Sequence, residues 1–192
     1  GTAVMVGLFS TSAFALTITP TSGTLNVTRW ESNDTGNCDA ACVEALTGMT
    51  GLTEVYKQDV GGGESGSFAG DYTTTFANTP TDPEDATITW DGPNFIDCAT
   101  DGCKAVVKDG NQIPAQYVFD LGALGWDGQE TLEFEDFWPN QGAISHVALL
   151  SGGGGNGPGS GPTGQMPEPA TTLLIGSGLL GFGLWRWNQN KK

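Results

Sequence analysis

The sequence predicts an all-β protein: a β-sandwich or jelly-roll-like single domain with one short helix, followed by a C-terminal transmembrane helix. Three observations lead there. Short runs rich in alternating apolar and polar residues recur at roughly ten-residue spacing, separated by Gly, Pro, Asn and Asp. Only one stretch carries helix punctuation at both ends. Residues 170–187 hold one charge and, as a helix, would be about 27 Å long, close to a bilayer's hydrocarbon thickness.

In order, residues 1–15 read as a partial signal peptide. Val4 to Phe9 form a short apolar run, and Ala13-Phe14-Ala15 fits the small-x-small pattern that signal peptidase cleaves. Cleavage after Ala15 is expected. The domain then occupies residues 16–151. Strands are expected over 16–18, 24–30, 52–57, 68–76, 86–90, 104–108, 116–121, 130–134 and 143–150. A helix is expected over 39–46, opened by Asp39 or Cys38 and stopped by Gly48. Asp109-Gly110-Asn111 is a turn between two strands. Residues 152–165 are a Gly-rich linker with a random-coil span of about 20 Å.

Residues 16–165 carry 21 acidic against 4 basic side chains, a net charge of −17. Such a surface repels nucleic acid and anionic lipid, which excludes a nucleic-acid partner, and it attracts cations. Four cysteines fall in two close pairs, Cys38/Cys42 and Cys98/Cys103. The spacings and the export features favour disulfides over zinc. Local pairing is favoured because short loops close readily, and Asp101-Gly102 supplies a turn inside the second one. A regular helix through Cys38 and Cys42 would hold their Cβ atoms too far apart, so that bridge requires an irregular first turn.

Sites of chemistry are few. His146 is the only histidine, with no Gly-x-Ser-x-Gly to serve, and reads as structural. Gly61-x-Gly63-x-x-Gly66 matches a dinucleotide fingerprint, but the residues after it are strand-like, so it reads as a surface turn. Calcium is the one cofactor to weigh. Asp82, Glu84 and Asp85 form an oxygen-rich loop, and Glu31-x-Asn33-x-Thr35-Gly36 begins like an EF-hand whose twelfth position is Cys42. Glu133 and Glu135 would share one side of a strand, but any pair drawn from so many carboxylates carries little information. Trp126, Trp138 and Asn140 flank the 130–134 strand and could line one end of the sandwich as a glycan contact.

The C-terminus has three parts. Met166-Pro167-Glu168-Pro169 is followed by the apolar run 170–187, with Arg186 at its end and Lys191 and Lys192 beyond. Arg186, Lys191 and Lys192 hold that end in the cytoplasm. Pro167-Glu168-Pro169, Thr171, Leu173-Leu174, Gly178-Leu179, Gly181, Leu184 and Arg186 resemble the PEP-CTERM sorting signal of exported Gram-negative proteins. Here the basic end is a single arginine with spaced lysines, not an arginine cluster. The resemblance implies an inner-membrane precursor, recognition and cleavage by an exosortase, and release toward the cell surface or extracellular polymer. The block from Trp90 to Leu150 is also similar to a module recurrent among PEP-CTERM proteins, with a weaker echo over residues 52–83. That likeness implies a β-sandwich and carries no activity. The sequence thus points to an exported, non-enzymatic surface or matrix protein that binds exopolysaccharide. The alternative is a secreted carbohydrate-active hydrolase.

Overall fold

A computed structural model of the chain describes residues 14–77, 83–109, 111–139 and 143–153. Among these the elements in order are β1 (Ala15–Ile18), β2 (Arg29–Ser32), α1 (Ala40–Thr47), β3 (Thr53–Asp59), β4 (Glu64–Ser65), β5 (Tyr72–Ala77), β6 (Asp85–Trp90), α2 (Cys98–Asp101), β7 (Cys103–Lys108), β8 (Gln116–Asp120), α3 (Leu121–Leu124), β9 (Thr131–Phe134) and β10 (His146–Ser151). The protein is all-β in character. One sheet has the order β1-β9-β6-β5 and the other β2-β8-β7-β10-β3-β4. Every pairing is antiparallel except β1 with β9.

Period-two alternation places one face of each sheet against the other. Ile18, Ile88, Leu132 and Phe134 of the four-stranded sheet share a core with Ala105, Val107, Tyr117, Phe119, Val147 and Leu149 of the six-stranded sheet. A fully buried side chain of this size contributes roughly 1.5–3 kcal/mol. The six-stranded sheet also buries its other face. There Trp30, Val106, Val118, Ala148 and Leu150 meet Val43 of α1 and Leu52 in a second cluster. All six positions of β7 and of β10 are therefore buried.

Helix α1 forms where its punctuation demands. Asp39 is the N-cap, and its Oδ1 accepts from the Cys42 N–H at 3.1 Å. Gly48 ends the helix at φ 75°, with its N–H donating to the Glu44 carbonyl. Cys38 precedes this cap and lies outside the regular helix. Its Cα can thus approach Cys42 to 5.0 Å, and the disulfide forms. The second bridge joins Cys98 to Cys103 around the single turn α2 and Gly102, at φ 64°. Both pairings are the local ones, and two disulfides fit an oxidising compartment.

Three sequence expectations change. The alternation over 24–30 is not a strand throughout. Val27, Thr28 and Arg29 all donate to the Thr24 carbonyl, Asn26 sits at φ 58°, and only Arg29 onward pairs with β8. The expected strand 68–76 begins at Tyr72, because Phe68 to Asp71 form a turn closed by the Asp71 N–H on the Phe68 carbonyl. Two single-turn helices, α2 and α3, follow the capping carboxylates Asp97 and Asp120, whose side chains accept from the backbone N–H groups ahead of them. The expected membrane span 170–187, the expected linker beyond residue 153 and the residues before Phe14 expected to belong to a signal peptide lie outside the described residues.

Candidate functional site

Cavities lined by the described residues open on the surface of the sandwich, and two of them bear on function. The larger, about 550 Å³, lies beside α2 and α3 and is rimmed by Asp97, Asp120 and Asp127, with Cys98 and Trp126 in its wall. Each carboxylate already has structural work. Asp97 accepts from the Ala99 and Thr100 N–H groups. Asp120 accepts from the Ala123 N–H and pairs with the Lys104 ammonium at 3.0 Å. Asp127 accepts from the Gln129 and Glu130 N–H groups. The three acids shape the loops that make the cavity. Among the described residues no three His, Cys, Asp or Glu side chains are grouped so as to hold a metal ion.

The smaller cavity, about 420 Å³, is a groove between the segment after β1 and the loop after β9. Thr19, Pro20 and Thr21 form one side, and Asp136, Trp138 and Pro139 the other, with Tyr117 of β8 between them. The 135–139 loop is held from behind. Glu135 donates its N–H to the Ile18 carbonyl, Asp136 to the Asp85 carboxylate at 2.9 Å, and Phe137 to the Glu84 carbonyl. Asp136 and Trp138 adopt φ values of 59° and 50°, with Phe137 fully buried between them. That left-handed backbone is costly for a tryptophan and is sustained by the packing around it.

The two tryptophans expected on one exposed platform are therefore placed differently. Trp126 is 3% exposed and Trp138 7% exposed, and they line different cavities. Trp126 donates its indole N–H to the Glu130 carbonyl at 2.7 Å and packs near Tyr72. Trp138 donates to the Pro114 carbonyl at 2.8 Å and packs on Tyr117 and Phe137. Both belong to the inter-sheet core and offer little ring face to solvent. Their indole N–H groups need buried acceptors, and the loops supply them. Asn140 lies outside the described residues, as do Asp82, Pro167, Glu168, Pro169, Arg186, Lys191 and Lys192.

The described calcium candidates take part in contacts within the fold. Glu84 and Asp85 brace the 135–139 loop as described. Within the EF-hand-like start, Glu31 is on β2 and pairs with Arg29 at 3.4 Å, and the Thr35 carbonyl accepts from the Lys108 ammonium at 3.1 Å. In the glycine turn, a side chain at Gly66 would run into the Val55 carbonyl, and its φ is 103°. The glycine is there for close backbone approach, with no helix following to face a phosphate. Glu133 lies on the outer face of the four-stranded sheet and accepts from the Thr17 hydroxyl at 3.3 Å.

His146 is 4% exposed at the start of β10, on the face that α1 and its preceding loop cover. Burial pushes its pKa down to about 4; Lys57 and Lys108 add to the depression, and Asp59 opposes it. At neutral pH the imidazole is uncharged. Its 3.7 Å approach to the Asp59 carboxylate is then a polar contact and not an ion pair. Burial likewise raises the Tyr117 phenol, with Glu31 adding to the shift.

Sequence reasoning missed Tyr117, Thr19, Thr21 and Asp136 as groove residues. They come from three distant segments, and no local motif links them. A comparison with family models, with curated proteins and with solved structures finds no match for the chain.

Proposed function

We propose that this chain is an exported surface or extracellular-matrix protein, anchored in the inner membrane as a precursor, freed of its tail by an exosortase, and bound to exopolysaccharide in the biofilm. The observation that carries the reading is the Pro167-Glu168-Pro169 motif set between a Gly-rich stretch and the apolar run 170–187, with Arg186 near its end. Signal peptidase would act at the other end. Two local disulfides and a body of net charge −17 support a molecule that folds and stays soluble outside the cytoplasm. A binding role is favoured over hydrolysis because the carboxylates of the larger cavity are engaged by backbone N–H groups and Lys104.

The test is direct. Changing Pro167, Glu168 and Pro169 together to Ala should leave full-length protein in the inner membrane, read by fractionation and by the C-terminal mass of the product. Normal surface arrival with loss of the tail in that variant would refute exosortase sorting.

A further inference from the structure

We propose that the groove formed by Tyr117, Trp138 and Asp136 binds a single amine-bearing sugar residue. This deepens the exopolysaccharide reading above and rests on it only for the source of the sugar.

The apolar part of the site is preformed. Tyr117 and Trp138 meet with ring centroids 5.3 Å apart and planes tilted by 49°, which makes a V and not a flat stack. Tyr117 is held by stacking on Phe119 at 6.2 Å and by the edge of Phe137 at 5.4 Å. Trp138 is fixed by its hydrogen bond to Pro114, so its indole N–H is not the recognition group. The ring edges left at the groove, with Pro20 and Pro139, suit the C–H face of a sugar ring. At about 420 Å³ the groove falls near the small end of ligand sites, about 300–1,000 Å³, which fits one ring better than several.

The polar part fits a hydroxylated ligand. Thr19 and Thr21 hydroxyls lie 3.1 Å apart at the rim. A hydroxyl has one donor and two acceptor positions; the Thr19 hydroxyl already meets the Thr21 and Ser22 hydroxyls and the Thr21 N–H, whereas the Thr21 hydroxyl has only its Thr19 partner among the described residues and retains capacity for a ligand. Asp136 supplies the charge. Its N–H is held by Asp85, and its own carboxylate is exposed and bonds to no described residue. The Asp136 and Trp138 conformations direct both residues to the groove while Phe137 points into the core. The carboxylate thus stands beside two aromatic rings on a strongly acidic body. A protonated amine gains from the charge-assisted hydrogen bond and from the surrounding field, while the ring edges meet the sugar's C–H groups. A uronic acid is repelled by the same arrangement.

The experiment uses the full chain in detergent, titrated calorimetrically with glucosamine oligomers, with their N-acetylated counterparts and with galacturonate oligomers. The glucosamine series should bind, the N-acetylated series roughly tenfold more weakly, and the galacturonates not at all. Asp136→Asn should weaken glucosamine binding roughly tenfold and abolish the preference for the free amine. Asn tolerates a left-handed backbone well, so that variant should melt with the wild type. Thr21→Ala, at an exposed position, should weaken binding to a smaller extent, without a change in melting. Absence of glucosamine binding, equal binding of all three series, or unchanged binding by the folded Asp136→Asn variant would each overturn the proposal. None of these outcomes depends on whether the tail is processed, so the sorting reading and the sugar site fail separately.

Discussion

The outward positions of the four-stranded sheet include Thr17, Thr73, Thr75, Thr87, Thr89 and Thr131, and solvent reaches them. The corresponding positions of the six-stranded sheet include Trp30, Val106, Val118, Ala148 and Leu150, and they are buried. Both sheets obey the same alternation. They differ in whether anything lies across them. Helix α1 and the loop before it, tied by Cys38–Cys42, cover the second face. The cover also buries polar groups. Lys104 keeps an ion pair with Asp120, Lys108 donates to the Thr35 and Asp109 carbonyls, and the Gln116 Oε1 is buried with no hydrogen-bond partner among the described residues. Buried charge costs several kcal/mol before its pairing is counted, so the covered face is stable only while the cover holds.

The sharpest way to break this contrast is to cut one residue from each face. Leu150→Ala should cost about 2–5 kcal/mol, because Leu150 is fully buried and its removal leaves a cavity. Thr75→Ala on the open face should change stability by no more than about 0.5 kcal/mol. Denaturant titration of the two variants measures the difference, and comparable losses would show that the open face is not open.

A smaller effect comes from His146. Its folded pKa of about 4 lies below its usual value of 6.5, so the unfolded chain takes up the proton first. Stability should therefore fall as pH drops from about 6.5 to 4, by roughly 3 kcal/mol in total, and the loss should level off below that. Glu54, whose pKa burial raises, acts in the opposite sense and gains relative stability on acidification. His146→Gln should flatten the pH dependence in this window relative to the wild type. An unchanged slope would mean that the imidazole is not held neutral by the cover.

The smallest expected loss comes from the bridges. Replacing Cys38 and Cys42 by Ser should cost about 2 kcal/mol, and replacing Cys98 and Cys103 should cost a similar amount. The location of the effect separates them. Only the first change should speed hydrogen exchange at the paired Trp30 and Val118 backbone, where β2 meets β8 under the cover. Equal exchange in both variants would remove α1 from its role as a clamp.

Much of this architecture was readable from residue order. The helix announced itself through Asp39 and Gly48, and most strands through alternation between turn residues. The 24–30 segment misled because Leu25 and Val27 alternate inside a turn, where both side chains are 45–61% exposed. Alternation records spacing and does not record a partner strand. The tryptophans misled for a related reason. Composition shows that six are present, but whether a ring faces a sugar or a core depends on acceptors such as the Pro114 and Glu130 carbonyls, which only the fold brings near. The groove was invisible because Thr19, Tyr117 and Asp136 are neighbours only after β1, β8 and β9 have taken their places.

The strand order also has a consequence for timing. In the six-stranded sheet β10 lies between β7 and β3, and in the other sheet β9 lies between β6 and β1. Both joints are made by strands from the last third of the body. While the chain is being synthesised, β2, β8 and β7 can pair, and β3 with β4, but these pieces keep raw edges until residue 151 has emerged. Early halves of the molecule therefore have no finished sheet in which to lock. If the chain is exported as proposed, that delay would keep it pliable during passage, to close once its last strand arrives.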